Sequence, residues 1–112
     1  MNKVEAIIRP DRLEAVLEAL AGIGYPGVTI SEVRGHGKQK GIKQQWRGNE
    51  YAVSFIPKVK IEVVVLDEDL NSTLDTMLRK ARTGNIGDGK IFVTKIEEAI
   101  RVRTGDHGMN AI

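Results

Sequence analysis

The segment from Thr83 to Lys90 places three glycines before a lysine, a combination that can hold an anion against backbone N–H groups. Gly84, Gly89 and Lys90 have the spacing of a phosphate-binding loop. Two features depart from that motif. Ile91 stands where a hydroxyl would reach Mg²⁺, and the segment follows a predicted helix and enters a predicted strand instead of the reverse. The sequence therefore predicts either a backbone cradle with Lys90 as a point charge or a plain glycine-rich turn.

A second candidate segment lies between Val33 and Asn49, where no acidic residue occurs. About 20 residues without secondary structure are unusual in so small a domain, and such loops tend to be functional or disordered. A solvated, mobile hairpin loop is the alternative that composition favours. Trp46 and Tyr51 belong to this stretch as buried anchors or partner contacts. Its positive charges and glycines are Arg34, Lys38, Lys40, Lys43 and Arg47, with Gly35, Gly37, Gly41 and Gly48.

A third candidate is Arg101-Val102-Arg103, whose alternation would place both guanidinium groups on one side of a strand. Arginine binds phosphate in bidentate fashion, although paired arginines are more often a solvated edge. Taken together with the glycine-rich and basic segments, the pair indicates a polyanionic ligand.

Composition narrows the class of protein. The chain has 112 residues, a formal charge of +2 and 41% hydrophobic residues, which describe one small soluble globular domain. It has no cysteine, so disulfides and thiolate chemistry are excluded and a cytosolic location is expected. His36 and His107 are far apart, with no pattern of metal ligands around them, and no catalytic nucleophile can be assigned. The longest apolar stretch, residues 63–66, is too short to span a membrane, and no secretory leader is expected.

The elements that must position these segments follow from hydrophobic periodicity. Apolar residues predict strands near residues 4–9, 28–33, 59–65 and 90–96, with Ile100–Thr104 as a short fifth. Two amphipathic helices are predicted, from Pro10 to Leu20 and from Leu70 to Ala81. The two halves match at an offset of 57 residues. This order predicts an α+β, ferredoxin-like β-α-β-β-α-β fold with a long loop between strands 2 and 3.

Apolar side chains should point to both sides of the predicted sheet, because Ile7 neighbours Ile8 and Val64 neighbours Val63. Both helices would cover the same face, which leaves the second face bare. We expect that second face to pack against copies of the same chain.

Several of these motifs in register resemble the PII nitrogen-regulatory signal-transduction proteins. The likeness runs from Val4 to Ile112. It implies a single domain of residues 1–112 with a long flexible loop at about 37–55, a nucleotide-binding loop at about 82–90 and a C-terminal loop at about 101–112. The segments that carry the resemblance are Gly35–Gly41, Arg47–Tyr51, Pro57–Glu62, Thr83–Val93 and Ile100–Gly105.

PII proteins are homotrimers of ferredoxin-like subunits that bind ATP or ADP in the clefts between subunits, so the resemblance implies a nucleotide-binding homotrimer. It also implies that Thr83 lies near the adenine. The phosphates would be surrounded by the glycine-rich loop, two arginines and residues from the neighbouring side of the cleft. The residues implied for nucleotide binding are Gly35, Gly37, Lys38, Gln39, Thr83, Gly87, Asp88, Gly89, Lys90, Arg101 and Arg103.

With MgATP bound, members of this family also bind 2-oxoglutarate, and the resemblance implies that site here. Gln39 would present its amide oxygen to Mg²⁺, and Lys58 would pair with the distal carboxylate. Because the metal contacts both ligands, each would raise the other's affinity by the same factor. The residues implied for 2-oxoglutarate binding are Gln39, Lys40, Gly41, Lys58 and Gly87.

The long loop of the family inserts into ammonium channels or contacts enzymes of nitrogen metabolism. The resemblance implies that Arg47 enters the channel pore, which would recruit a cytoplasmic protein to the inner face of the membrane. Tyr51 lies where many members are modified by a uridylyltransferase, and an unmodified exposed tyrosine is the alternative. Neither nucleic-acid binding nor membrane insertion is expected.

Two other functions stay open on the sequence. RNA-recognition domains share the order of elements, but they stack bases on aromatic residues of their central strands, and residues 59–66 contain none. An ATPase would need a water-positioning base, and none can be assigned. The resemblance implies a non-catalytic sensor, with a nucleic-acid-binding module or a weak ATPase as the alternatives.

Overall fold

The computed structural model describes residues 1–36, 43–46, 49–52 and 55–112, with the backbone alone described for 43–46 and 49–52. Four strands form one antiparallel sheet in the spatial order β2-β5-β1-β6, and β3 pairs with β4 in a separate hairpin. The strands are β1 (Asn2–Ile8), β2 (Thr29–Gly35), β3 (Lys43–Trp46), β4 (Asn49–Ala52), β5 (Ile56–Val65) and β6 (Gly89–Lys95), and the helices are α1 (Leu13–Gly22) and α2 (Leu70–Ala81).

The pairing of β1 with β5 and β6 sets the sheet. Val4 lies opposite Val63 on one side and Val93 on the other. Burial alternates along β1, so that every second side chain faces the helices. This arrangement confirms the predicted α+β, ferredoxin-like fold.

Both helices pack on the same face of the sheet and close a single apolar core. Their inward residues recur at helical spacing, as the periodicity predicted. The buried hydrophobic residues are Val4, Ala6, Ile8, Val16, Leu20, Val59, Ile61, Val63, Val65, Met77 and Ala81.

The predicted internal repeat is confirmed at the entry to each helix. A short 3₁₀ turn precedes each one, at Pro10–Arg12 before α1 and at Asp67–Asp69 before α2. The α-helices therefore begin at Leu13 and Leu70, and α1 starts three residues later than predicted. The reason is the hydrogen bond from the Arg12 N–H to the Arg9 carbonyl, which closes a tighter turn before the α-helical spacing begins.

The predicted fifth strand at Ile100–Thr104 is wrong. Ile100 forms an isolated bridge with His107, and the chain turns between them. Gly105 has a φ of 74° and donates its N–H to the Arg101 carbonyl at 2.7 Å, which folds the segment back on itself. The strand alternation expected for Arg101 and Arg103 is therefore absent.

The long segment after β2 carries more regular structure than expected. The β3–β4 hairpin lies within it, with Lys43 opposite Ala52 and Trp46 opposite Asn49. The sequence does not predict these strands, because apolar and polar side chains do not alternate in residues 43–46 and 49–52.

The second face of the sheet, away from the helices, mixes charged and apolar side chains. Lys60 lies 3.4 Å from a Glu62 carboxylate oxygen and 3.7 Å from one of Glu5. Ile7 and Val64 are half-buried on this face, so apolar side chains do point to both sides as predicted. Within the described residues, no helix is long and apolar enough to cross a membrane.

Candidate functional site

The residues from Thr83 to Gly89, which we call the glycine loop, connect α2 to β6. Gly89 pairs with Ile8, so the loop lies at the edge of the sheet where β1 ends. The antiparallel order of the sheet thereby places the loop beside Arg9 and the residues that lead into α1. Gly84, Gly87 and Gly89 all have positive φ values, which the β-branched and bulky side chains rarely adopt.

Gly89 is required by its neighbours as well as by its backbone. Its φ is 99°, and a Cβ at this position would lie 1.7 Å from the Ile7 carbonyl oxygen. No side chain fits at that distance, because non-bonded carbon and oxygen atoms stay about 3 Å or more apart. The close approach fixes how the loop joins the central strand.

Asp88 organises the loop from within. One carboxylate oxygen accepts the backbone N–H groups of Thr83 and Gly84, both at 2.8 Å, and the other accepts the Thr83 hydroxyl. Hydrogen bonds from Thr83, followed by that from Arg9, hold the pKa of the Asp88 carboxyl well below its usual range. Asp88 is therefore a carboxylate at neutral pH and a weak base.

Arg9 is a site residue that the sequence analysis missed. Its Nε donates to Asp88 Oδ1 at 2.9 Å and its Nη2 donates to the Ile86 carbonyl at 2.7 Å. The two partners lie more than 75 residues away in the chain, so no local spacing could reveal them. The signal that could have found Arg9 was the predicted fold, which places the end of β1 next to the start of β6.

Lys58 enters the same region from β5. It is 9% exposed, and its ammonium group donates to the Gly87 carbonyl. Burial lowers the pKa of Lys58, and the positive charge of Arg9 lowers it further, while Asp88 opposes the change. Gly35 of β2 lies against this side chain, since a Cβ there would meet Lys58 Cγ at 3.3 Å.

The structure thus brings together several residues that the sequence linked. Lys58 contacts Gly87, and Thr83 contacts Asp88, which directly precedes Gly89 and Lys90. Arg101 and Arg103 lie apart from them. Arg101 Nη1 is 3.9 Å from Asp106 Oδ2, and within the described residues no hydrogen bond or ion pair joins either arginine to the glycine loop.

The rest of the predicted site lies outside the described residues. This group comprises Gly37, Lys38, Gln39, Lys40, Gly41 and Arg47. Tyr51 belongs to β4 and Trp46 to β3, where the backbone alone is described.

Chemically, the described site is a group of cations around a glycine-rich loop. Arg9 and Lys58 both donate to carbonyl groups of the glycine loop, and Lys90 follows it directly. Such a set of cations and positive-φ glycines is suited to binding an anion. Among the described residues, no cluster of three or more His, Cys, Asp or Glu side chains could hold a metal ion.

The chain matches one family of known proteins and several of its members. The family model described as nitrogen regulatory protein P-II matches residues 1–106. The chain is similar over all 112 residues to the nitrogen regulatory protein P-II of Bradyrhizobium diazoefficiens, at 54% identity, and to that of Rhizobium meliloti, at 51%, covering each relative completely. It is 47% identical to nitrogen regulatory protein P-II 2 of Methanothermobacter thermautotrophicus, covering 97% of that chain.

Proposed function

The chain belongs to the nitrogen regulatory protein P-II family, and from this premise we propose that it senses ATP or ADP together with 2-oxoglutarate. It is a regulator of nitrogen metabolism, as the names of its relatives state for those proteins. In this proposal the glycine loop binds the nucleotide phosphates, and the protein itself is not an enzyme.

The observation that carries the proposal is the convergence of Arg9 and Lys58 on the glycine loop. Two cations, one directly after β1 and one on β5, meet at Ile86, Gly87 and Asp88. Lys58 is nearly buried, and a buried ammonium group is costly unless it has a partner. A carboxylate ligand would give Lys58 a stronger partner than the Gly87 carbonyl that it contacts here.

Mg²⁺ would be bound by the amide oxygen of Gln39 together with phosphate oxygens and 2-oxoglutarate. In this scheme Lys58 exchanges the Gly87 carbonyl for the distal carboxylate of 2-oxoglutarate. The exchange links the two ligand sites through one side chain, which supports reciprocal coupling of their affinities. Backbone groups near Lys40 and Gly41 complete the second site.

We propose further that the protein acts as a homotrimer. The second face of the sheet carries Ile7, Val64 and Phe92 beside the charged residues, and Phe92 is 49% exposed. Arg101 and Arg103 make no described contact with the glycine loop of their own chain, which supports a contact with that of a neighbouring copy. Both arginines would then bind phosphates at the cleft between subunits.

The proposed output runs through the segment at about 37–55. Its partner is an ammonium channel, entered by Arg47, or an enzyme of nitrogen metabolism. Tyr51 is the site of uridylylation where a uridylyltransferase is present, since the added negative charge would block insertion of the segment. The protein is cytoplasmic in this proposal, and the channel recruits it to the membrane.

The test is a calorimetric titration of 2-oxoglutarate into the protein with Mg²⁺, once with ATP and once without. We expect binding with MgATP alone, and at least a tenfold loss in Lys58→Met, since the paired charge contributes roughly 1.5–3 kcal/mol. Lys60→Met is the matched control, because Lys60 lies on the same strand but pairs with Glu5 and Glu62 instead of the glycine loop.

Two results would contradict this function. Absence of ATP binding to the unmodified protein would remove the nucleotide site. Binding of 2-oxoglutarate that is equally strong without ATP would separate the two sites and remove the metal-linked scheme.

A further inference from the structure

The position of Asp88 needs an explanation, because a carboxylate beside a phosphate site repels the negatively charged ligand. Two like charges in close proximity repel each other, and the solvent near a protein surface screens that repulsion only in part. The resemblance to the PII family nevertheless implies that Asp88 lies among the residues around the phosphates. The contacts of its side chain offer a different role.

Hydrogen-bond donors of the protein itself occupy the acceptor positions of the Asp88 carboxylate. Four hydrogen bonds reach it, from the Thr83 N–H, the Thr83 hydroxyl, the Gly84 N–H and Arg9 Nε. A carboxylate has about four lone-pair sites, so this set leaves little capacity for anything else. The side chain is 22% exposed and that of Arg9 is 21% exposed, so both are mostly shielded from water.

These bonds define the shape of the first half of the loop. The Asp88 carboxylate holds Thr83 and Gly84, which follow the end of α2, while Asp88 itself directly precedes Gly89, the first residue of β6. The Asn85 N–H completes the arrangement by donating to the Thr83 hydroxyl at 3.2 Å. Arg9 adds the outer support, since it also holds the Ile86 carbonyl. The remaining loop groups are thereby fixed before any ligand arrives.

We propose that Asp88 is a positioning residue, whose carboxylate shapes the glycine loop for phosphate binding without contacting the phosphates, and that Arg9 neutralises it. The inference rests on the proposed nucleotide binding and assigns the regulation of that site to an internal ion pair. A loop that already has its binding shape loses less conformational entropy when the nucleotide binds. Removing the Asp88 carboxylate therefore weakens nucleotide binding, even though it also removes a repulsive charge.

The test compares ATP and ADP affinities of Asp88→Asn with those of the unmodified protein by calorimetry. Positioning predicts that both affinities fall by about tenfold or more, and by a similar factor, because loop shape serves both ligands. A carboxylate facing the phosphates predicts the opposite, with tighter binding and a larger gain for the more highly charged ATP. Equal or tighter ATP binding in Asp88→Asn would therefore overturn the proposal.

Amide hydrogen exchange supplies a readout that does not use the ligand. We expect Asp88→Asn and Arg9→Gln to speed exchange at Thr83 and Gly84 while the melting temperature changes little. The double variant should weaken ATP binding by less than the product of the two single effects, since both act through one ion pair. Full additivity, or unchanged exchange, would count against positioning.

Asp67→Asn is the control, because Asp67 is also a hydrogen-bonded carboxylate but pairs with Asn2 at the opposite end of the sheet. Its ATP affinity should match that of the unmodified protein. Should the unmodified protein fail to bind ATP, the proposed function itself falls. Should it bind while Asp88→Asn binds equally well, the positioning role alone falls.

Discussion

Neighbouring residues Asp88 and Gly89 constrain the same loop in different ways. Asp88 holds it by attraction, through four donors, whereas Gly89 allows it to touch the Ile7 backbone by having no side chain. The first constraint depends on charge and on pH, and the second on shape alone. Substitutions at the two positions should therefore be distinguishable by experiment.

Gly89→Ala is expected to destabilise the fold by at least about 2 kcal/mol, because the alanine is strained at a φ of 99° and its Cβ meets the Ile7 carbonyl. Thermal unfolding measures the loss. Gly84→Ala is the matched control, with a φ of 89° but open space around its Cβ, and should lose about 1 kcal/mol from strain alone. Equal losses would show that the carbonyl contact is unimportant.

At this scale the sequence predicted the glycine-rich segment, and the family resemblance implied a role for Lys58, but Arg9 was not predicted. The spacing of Gly84, Gly89 and Lys90 is local and can be read directly from the sequence. Arg9 meets Asp88 because β1 pairs with β6, and that meeting is a property of the fold. Side-chain partners of this kind can be predicted only after the strand order is known.

Between elements, Tyr25 links the connection after α1 to the start of α2. Its hydroxyl donates to the Asp69 carboxylate and accepts the Leu66 N–H at 3.2 Å. Burial raises the pKa of Tyr25, and the hydrogen bond to Asp69 raises it further. The link joins the two repeated halves at the end of the sheet away from the glycine loop.

Tyr25→Phe should destabilise the protein by about 1–2 kcal/mol, because it leaves the Leu66 N–H and the Asp69 carboxylate without this partner. The pKa is higher in the folded state, so the contribution is complete below pH 10.0 and is lost as the pH rises through the folded-state pKa. Denaturant unfolding of both proteins at pH 7 to 11 tests this. A deficit that grows with alkaline pH would refute the assigned contacts.

Helices and strands with a clear hydrophobic periodicity were predicted well, and segments without one were not. The apolar spacing of α2 and the alternation around Val63 and Val65 gave both elements nearly at their observed bounds. The strand predicted at Ile100–Thr104 is wrong because the chain reverses at Gly105, which has a positive φ. The sequence contains that glycine, but its conformation accompanies two hydrogen bonds, from the Gly105 N–H to the Arg101 carbonyl and from the Arg101 N–H to the Asp106 carbonyl.

For the whole molecule, the second face of the sheet carries the proposed contact between copies of the chain. The proposed homotrimer predicts a sedimentation mass near three times the 12.4 kDa of one chain. Phe92→Glu should shift this mass toward the single chain, since it puts a charge into the proposed contact between copies. Leu78→Glu is the control, because Leu78 is 42% exposed on α2, a degree similar to the 49% of Phe92.

A single-chain mass for the unmodified protein would remove the trimer from the proposal. A Leu78→Glu variant that dissociates as readily as Phe92→Glu would show that dissociation reflects general destabilisation. The sequence predicted the bare second face, but its mixture of ion pairs and apolar side chains depends on the register between β1 and β5.

The position of β1 in the sheet also bears on how the chain is made. This strand is synthesised first, yet Asn2 pairs with Val65 and with Lys95. A ribosome adds about 5–20 residues per second, so β1 waits roughly 5–20 s for its second partner to emerge. Within that interval β1 can pair with β5, but its other edge has no strand to join. Completion of the four-stranded sheet is therefore a late event in translation, because its edge strand β6 is among the last segments to be made.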